Sequence, residues 1–309
     1  MRILITGGCG FIGSNFILYL LKNYPGDSVV NLDKLTYAAN PKNLDAVTNN
    51  PRYIFVKGDI CNGKLVSEVI TGCEAIINFA AESHVDRSIT EPASFIQTNI
   101  NGTATLLEAC RQKKISRFLQ ISSDEVYGSI KEGTADEESP LCPSSPYSAS
   151  KASADLLCLS YYTTYRTPVL ITRSSNNYGP KQYPEKLIPL FITRALSDKP
   201  VPLYGDGQNQ RDWLFVEDNC RAIDLVLRQG KEGEIYNVGT GRQIPNIEVV
   251  KILLDLLDKP LSLIQYVPDR PGHDWRYAVN WAKLKALGWQ PAVSFEEGLK
   301  LTISWYRNH

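Results

Sequence analysis

Tyr147 and Lys151 are the residues whose types and spacing point most directly to chemistry. They stand four positions apart in the segment PYSASK, residues 146–151, so on a helix they share one face. An ammonium near a phenol stabilises the phenolate, and we therefore expect Lys151 to lower the pKa of Tyr147. Such a phenol can take the proton from a sugar hydroxyl while hydride leaves the same carbon. An exposed helical pair without a chemical role is the alternative.

Two adjacent carboxylic acids, Asp124 and Glu125, come directly after a predicted buried strand. The carboxyl ends of strands are where open α/β sheets place their ligand sites. Two carboxyls there are suited to general acid and general base catalysis. A solvated acidic turn is the alternative, but that interpretation fits residues 136–138, in a polar loop, better than it fits this pair.

A glycine-rich turn predicts a dinucleotide site near the N-terminus. Gly7, Gly10 and Gly13 lie between a predicted strand and a predicted helix, where glycine lets the backbone approach a pyrophosphate at a helix N-terminus. Asp33 follows the second predicted strand, where a carboxylate can accept a hydrogen bond from the adenosine ribose. Because that carboxylate would repel a 2′-phosphate, NAD is favoured over NADP. An exposed turn aspartate is the alternative for Asp33.

Strand and helix patterns alternate along the first part of the chain. Short apolar runs indicate six strands, at 3–6, 29–32, 53–57, 75–79, 118–122 and 169–173. Helical spacing is found over 11–24, 95–111 and 147–165. This alternation predicts an α/β fold, a Rossmann-type doubly wound parallel sheet with a smaller, loop-rich C-terminal substrate lobe.

The pattern changes after about residue 174, where prolines interrupt the alternation. A helical stretch at 216–228 and a strand at 234–238 then resume it. We therefore predict an NAD-binding domain over 1–175, to which 212–240 returns. The segments 176–211 and 241–309 are expected to form the substrate lobe.

Composition excludes several classes of protein. The 309 residues carry 33 basic and 33 acidic side chains, so no charge excess predicts a nucleic-acid or membrane partner. Seven cysteines without a CxxC pair and only three histidines predict reduced thiols and no metal site. The lack of a signal peptide or a long apolar run predicts a cytoplasmic protein.

Longer motifs resemble the nucleoside-diphosphate-sugar 4,6-dehydratases, a family of extended short-chain dehydrogenases/reductases. The matching segments are NLDKLTYAAN (31–40), AAESHVDRSI (80–89), SSDEVYG (122–128), SNNYGPKQYPEKLIPL (175–190), YGDGQNQRDWLFVED (204–218) and PDRPGHDWRY (268–277). Two positions depart from the family pattern. Ser123 stands where threonine is usual, which keeps a hydroxyl donor, and Trp275 stands where a second basic residue is common.

This resemblance implies conversion of dTDP-glucose to a 4-keto-6-deoxy product and water, with tightly bound NAD. Tyr147 would be the base for oxidation at C4, Lys151 would bind the nicotinamide ribose, and Ser123 would hydrogen-bond the 4-oxygen. Glu125 would then remove the C5 proton while Asp124 protonates the departing 6-hydroxyl, before hydride returns to C6. That division requires a protonated Asp124 and an ionised Glu125.

The family motifs also assign binding residues. The residues expected at the cofactor are Gly7, Gly10, Phe11, Ile12, Gly13, Asp33, Lys34, Thr36, Asp59, Ile60, Ala80, Ala81, Thr98, Tyr147, Lys151 and Asn177. Those expected at the nucleotide sugar are Ser83, Ser123, Asn176, Lys186, Leu187, Arg211, Asn246, Arg270 and His273. Alternatives are ion pairs of Arg211 with Asp212 or Glu217 and of Arg270 with Asp269 or Asp274, and a packed structural role for His84 or His273.

Three questions stay open at this point. A nucleotide-sugar 4-epimerase would use the same tyrosine, lysine and NAD but would not need the two carboxyls. A non-enzymatic NAD-sensing module would need neither the tyrosine–lysine pair nor the two carboxyls. UDP-glucose is the alternative substrate. The resemblance also implies a homodimer formed through the helices at 95–111 and 147–165.

Overall fold

The computed structural model describes residues 1–309, which form eleven α-helices. The helices are α1 (Phe11–Asn23), α2 (Gly63–Val69), α3 (Val85–Thr90), α4 (Pro92–Phe95), α5 (Thr103–Lys113), α6 (Pro146–Tyr165), α7 (Leu187–Leu196), α8 (Val216–Gln229), α9 (Asn246–Leu256), α10 (Ala282–Ala286) and α11 (Phe295–Asn308). Short 3₁₀ turns occupy Pro41–Val47, Asp124–Tyr127 and Leu261–Leu263, and Ile96–Gly102 is π-helical. None of these helices combines the length and apolar character needed to cross a membrane.

Twelve strands form one large sheet and two small ones. They are β1 (Arg2–Thr6), β2 (Ser28–Asp33), β3 (Tyr53–Lys57), β4 (Ala75–Asn78), β5 (Arg117–Ser123), β6 (Val169–Ser174), β7 (Asn176–Tyr178), β8 (Val201–Tyr204), β9 (Gln210–Phe215), β10 (Ile235–Val238), β11 (Gln243–Pro245) and β12 (Ile264–Val267). The large sheet has the order β10-β6-β5-β4-β1-β2-β3, and every pair in it is parallel. The strand order reverses between β1 and β4, so both strands end beside the same crevice.

Helices cover both faces of the large sheet. On one face, Phe16 and Leu20 of α1 join Ile223 and Leu227 of α8 in a buried cluster. On the other face, α5 and α6 bury Leu106, Leu107 and Cys158 against β4, β5 and β6. Because parallel strands are covered on both sides, they read as continuous apolar runs in the sequence.

The two small sheets and the last helices enclose a separate core. β11-β9-β7 and β12-β8 are the strand orders of these sheets. Helices α7, α9 and α11 supply Phe191, Val250, Leu253 and Leu299 to a buried cluster of their own. The loop between β7 and α7, which leads into this core, lines the crevice through Gln182, Tyr183, Glu185 and Lys186.

The predicted fold class is confirmed, with one wrong element. The region 95–111, expected as one regular helix, is divided into α4, a π-helical segment and α5. The π-helical segment turns Asn99 inward, where its amide donates to the Glu82 carbonyl and the Ser150 hydroxyl. The predicted strand at 234–238 is β10, which pairs with β6. The domain boundaries stay a prediction.

Candidate active site

The crevice where the strand order reverses opens into a cleft. The turn after β1, the segment after β4 and the N-terminal part of α6 all line it. Open parallel sheets bind ligands at such a switch point, outside the carboxyl ends of their strands.

The glycine turn is packed so closely that Gly7 and Gly13 leave no room for a side chain. A Cβ at Gly13 would lie 2.5 Å from the Gly7 carbonyl oxygen, and one at Gly7, whose φ is +67°, would lie 2.6 Å from the Ala80 nitrogen. The backbone is therefore packed tightly behind the turn, and its front faces the cleft at the N-terminus of α1. A pyrophosphate fits this place, because unpaired N–H groups and the helix dipole favour an anion there.

Asp33 is buried, so the exposed-turn alternative does not apply. Its two carboxylate oxygens accept the amides of Cys9 and Leu35, each at 2.8 Å. Burial raises the pKa of Asp33, while these two hydrogen bonds lower it. Each oxygen keeps a free lone pair, and Asp33 lines the cleft, so the carboxylate can accept further hydroxyl donors.

The predicted cofactor residues largely meet in this cleft. All of them except Asn177 line it, and the predicted substrate residues Ser83 and Lys186 line it as well. Asn177 lies in β7 with its amide donating to the Ser175 carbonyl. The structure adds residues that the sequence motifs did not assign, among them Ala38, Phe79, Ser122, Gln182 and Glu185.

Helix α6 carries Tyr147 and Lys151 into the cleft. Its N-terminus is fixed by Pro146 and by a capping box between Ser145 and Ser148, so Tyr147 lies in the first turn. The buried Lys151 ammonium donates to the Ile121 carbonyl of β5 at 2.5 Å. One turn further along α6, Asp155 is fully buried and pairs with Arg173 of β6 at 2.9 Å. These contacts join α6 to the two strands beneath it.

The expectation that Lys151 lowers the pKa of Tyr147 is wrong. Burial raises the pKa of Tyr147, the charge of Glu125 adds to the increase, and a hydrogen bond with Ser123 opposes it. Lys151 is itself buried, which lowers the pKa of its ammonium. The physical reason is desolvation, which disfavours the charged form of both groups.

Asp124 and Glu125 occupy a short 3₁₀ turn that Ser123 caps by accepting the Glu125 amide at 3.2 Å. Asp124 is buried, and its Oδ2 has no hydrogen-bond partner. Burial raises the pKa of Asp124 well above its usual value, and the charges of Glu125 and Asp212 add to the effect. Arg211 and a hydrogen bond with Ser123 oppose that increase, and the burial of Asp124 favours its protonated form.

Glu125 has a different electrostatic environment from its neighbour. Burial raises its pKa too, but three cations, Lys186, Arg211 and Arg270, oppose that increase. Tyr277 places its hydroxyl 3.4 Å from Glu125 Oε2 and 2.8 Å from Asp274. The surroundings therefore favour ionisation of Glu125 over ionisation of Asp124, which is the order that an acid and base pair needs.

The two arginines do not form the alternative ion pairs considered from the sequence. Arg211 donates to the carbonyls of Gln210, Trp275 and Asp274 and stacks over the Tyr277 ring at 4.3 Å. Arg270 pairs with Asp86 at 3.2 Å instead of Asp269 or Asp274. Arg211 is therefore held by neutral carbonyls and forms no ion pair of its own, so its positive charge acts on the two nearby acids.

Four other predicted substrate residues, Asn176, Leu187, Asn246 and His273, do not line the cleft described above. Asn176 begins β7, Asn246 begins α9 and Leu187 begins α7. The buried Oδ1 atoms of Asn176 and Asn246 have no partner in the protein. His273 Nδ1 lies 2.6 Å from an Asp269 oxygen. Buried polar atoms are normally hydrogen-bonded, so the two free oxygens are suited to ligand donors.

The chain matches known proteins over nearly its full length. The GDP-mannose 4,6 dehydratase family matches residues 4–302. This chain belongs to that family. The low-salt glycan biosynthesis protein Agl12 of Haloferax volcanii is 52% identical over 99% of this chain and 98% of its own. A dTDP-glucose 4,6-dehydratase of Streptomyces niveus is 50% identical over 100% of this chain and 94% of its own.

A solved structure also matches the fold of this chain over its full length. DesIV, a dTDP-glucose 4,6-dehydratase of Streptomyces venezuelae solved with NAD bound, superposes with a TM-score of 0.98. The two chains are 50% identical, and the match covers 100% of this chain and 98% of DesIV. The resemblance to nucleotide-sugar 4,6-dehydratases found in the sequence motifs is thereby confirmed.

Proposed function

We propose that the protein converts dTDP-glucose to dTDP-4-keto-6-deoxy-glucose and water with NAD as its resident cofactor. The observation that carries this proposal is the pair Asp124 and Glu125 beside Tyr147, with surroundings that separate the two carboxyls in acidity. Its full-length dehydratase relatives support the same reaction and substrate.

The glycine turn, Asp33 and the residues of the cleft wall would hold the dinucleotide. Gly7, Gly10 and Gly13 leave the pyrophosphate its space, Asp33 accepts the adenosine ribose hydroxyls, and Lys151 donates to the second ribose. When bound, NAD would supply the hydride acceptor for oxidation at C4 of the hexose and the hydride donor for reduction at C6.

Tyr147 and Ser123 act on the 4-hydroxyl. Tyr147 takes the hydroxyl proton, and Ser123 donates a hydrogen bond to the 4-oxygen as a carbonyl forms there. The Tyr147 phenolate needs positive charge nearby, since burial and the carboxylates disfavour it. Lys151, fixed by the Ile121 carbonyl, keeps its remaining N–H donors for the ligand side of the cleft.

Glu125 and Asp124 carry out the elimination. The 4-carbonyl acidifies the C5 proton, which the ionised Glu125 removes, while the protonated Asp124 gives its proton to the departing 6-hydroxyl to form water. Glu125 then returns its proton to C5. The proton taken by Tyr147 leaves to solvent, and Asp124 is reprotonated from solvent, so the sugar loses one water in total.

Variants of the carboxyl pair test the assignment. Asp124→Asn and Glu125→Gln are each expected to slow product formation by about 10²–10⁴-fold, because each removes one acid or base role. NAD content of the purified protein should stay at the parental level, because neither residue lines the glycine turn. Release of 4-keto-6-deoxy product, followed by its alkaline absorbance, and bound nucleotide are the measurements. Parental rates in both variants would contradict the assignment.

A 4-epimerase is the second candidate, because it would use the same tyrosine and cofactor. It has no step that requires a protonated carboxylic acid, so the environment of Asp124 favours the dehydratase. Incubating the protein separately with dTDP-glucose and with UDP-glucose, and identifying the product of each, shows which substrate is used and which reaction takes place. We expect a keto product from dTDP-glucose and little from UDP-glucose, whereas a 4-epimer without keto product would identify the epimerase.

We propose that two copies of the chain form a homodimer through α6 and the 92–113 region. Ile96, Leu156 and Tyr165 are all more than half exposed on these segments. Because Leu156 and Tyr165 lie nine positions apart on α6 and so on opposite sides of it, Ile96 and Leu156 are the exposed apolar side chains that mark the proposed association surface. Pairing two such helical faces would bury them in a four-helix bundle.

A further inference from the structure

Two loops and the short helix α3 meet beside the cofactor cleft. Tyr37 follows β2, Arg87 lies in α3, and Glu185 precedes α7. The Tyr37 hydroxyl donates to Glu185 Oε1 at 2.9 Å. The Arg87 guanidinium lies 3.6 Å above the Tyr37 ring, and its Nε is 3.6 Å from Glu185 Oε2. We call Tyr37, Arg87 and Glu185 the clasp.

The clasp joins the two walls of the cleft without filling it. Thr36, Ala38 and Ala39 line the cleft from one wall, and Gln182 and Glu185 line it from the other, whereas neither Tyr37 nor Arg87 lines it. Tyr37 also packs edge-on against Tyr183 of the second wall, with ring centroids 5.6 Å apart. A change at Tyr37 or Arg87 would therefore act on the joint between the walls and not on a ligand contact.

Backbone strain marks the loops that carry the clasp. Leu35 and Lys181 adopt φ values of +60° and +71° although neither is glycine. Such residues persist only where surrounding contacts hold them. The Leu35 amide donates a hydrogen bond to Asp33, which ties this loop to the carboxylate expected to bind the cofactor.

We infer that the clasp holds the cleft closed over the bound dinucleotide and sets the rate at which NAD leaves. This inference rests on the cofactor named in the proposed function. The reaction restores NAD at the end of each cycle, so a slowly leaving cofactor serves many turnovers. Opening requires loss of a hydrogen bond to a carboxylate and of a cation–π contact, both of which contribute to closure.

Exchange of bound nucleotide measures the clasp directly. Holoenzyme carrying isotopically labelled NAD is mixed with excess unlabelled NAD, and the label still bound is followed with time. Tyr37→Phe, which removes one oxygen atom, is expected to exchange about tenfold faster than the parent. Arg87→Gln and Tyr37→Ala are expected to exchange bound NAD at least as fast as Tyr37→Phe does. Tyr266→Phe, at an exposed tyrosine outside the cleft, should exchange at the parental rate.

Parental exchange rates in Tyr37→Phe and Arg87→Gln would overturn the inference. Tyr37→Phe keeps the ring and its packing, so it tests the clasp even if Tyr37→Ala fails to fold. The exchange needs no sugar substrate, and a protein that holds NAD but yields no keto product would contradict the proposed reaction alone.

Discussion

Asp124 combines its proposed catalytic role with an unfavourable position in the folded protein. Its carboxyl is 3% exposed, one oxygen has no partner, and Glu125 and Asp212 lie near it. Because the folded pKa is raised, the contribution of this group to stability is present below its unfolded pKa of about 3.9 and is lost as pH rises through the folded value.

Asp124→Asn is therefore expected to raise stability while it slows elimination. Asparagine has no charge to bury, so the gain in unfolding midpoint over the parent should grow as pH rises from about 4 to about 8. Thermal or urea unfolding of the nucleotide-free proteins across that range measures it.

Asp136→Asn supplies the control for this pH series. Asp136 is exposed, and its hydrogen bond from Ser139 lowers its pKa, so its contribution is present above the unfolded pKa and is lost as pH falls. Loss of that contribution should give a small trend of the opposite sign. A gain in Asp124→Asn that is constant or shrinks with rising pH would contradict the assigned environment.

At the scale of elements, the β1–α1 turn depends on the absence of a side chain. Gly13→Ala places a methyl group 2.5 Å from the Gly7 carbonyl oxygen. The turn must therefore shift, and its backbone amides would no longer be oriented to bind the pyrophosphate. We expect loss of bound NAD by at least about tenfold, measured as nucleotide content after gel filtration.

Gly26→Ala is the matched control, since nothing lies within 4 Å of a Cβ there. It should keep the parental nucleotide content. Normal NAD content in Gly13→Ala would show that the turn tolerates the shift and does not depend on that glycine.

Sequence patterns predicted those elements whose structure is set by residues close together in the chain. The strands of the large sheet were recognisable because burial on both faces makes them apolar throughout, and Asp33 was recognisable by its distance from the glycine turn. The π-helical segment around Asn99 was not, because its sequence keeps helical periodicity while the Glu82 and Ser150 contacts that it serves are distant.

Contacts between distant segments account for the rest. Arg270 meets Asp86 across 184 positions, and Tyr37 meets Glu185 across 148. Lys151 donates to the Ile121 carbonyl, a neutral partner that every residue possesses and that no motif identifies. Such partners are chosen by the folded arrangement and leave no trace in local spacing.

At the scale of the whole molecule, the proposed dimer interface can be tested by a single substitution. Leu156→Arg puts a charge into the centre of the proposed interface, and we expect sedimentation velocity to show monomers where the parent shows dimers. Leu261→Arg is the matched control, because Leu261 is 56% exposed and Leu156 is 57% exposed. Identical sedimentation of both variants and the parent would contradict this interface.

Only Ser175 separates β6 of the large sheet from β7 of the small one. Arg173, which anchors α6 through Asp155, and Asn176, on the sugar side, thus share one nearly continuous extended segment. The chain later re-enters the large sheet at β10. Because the chain passes between the two parts more than once, a single crossover cannot exchange either part intact.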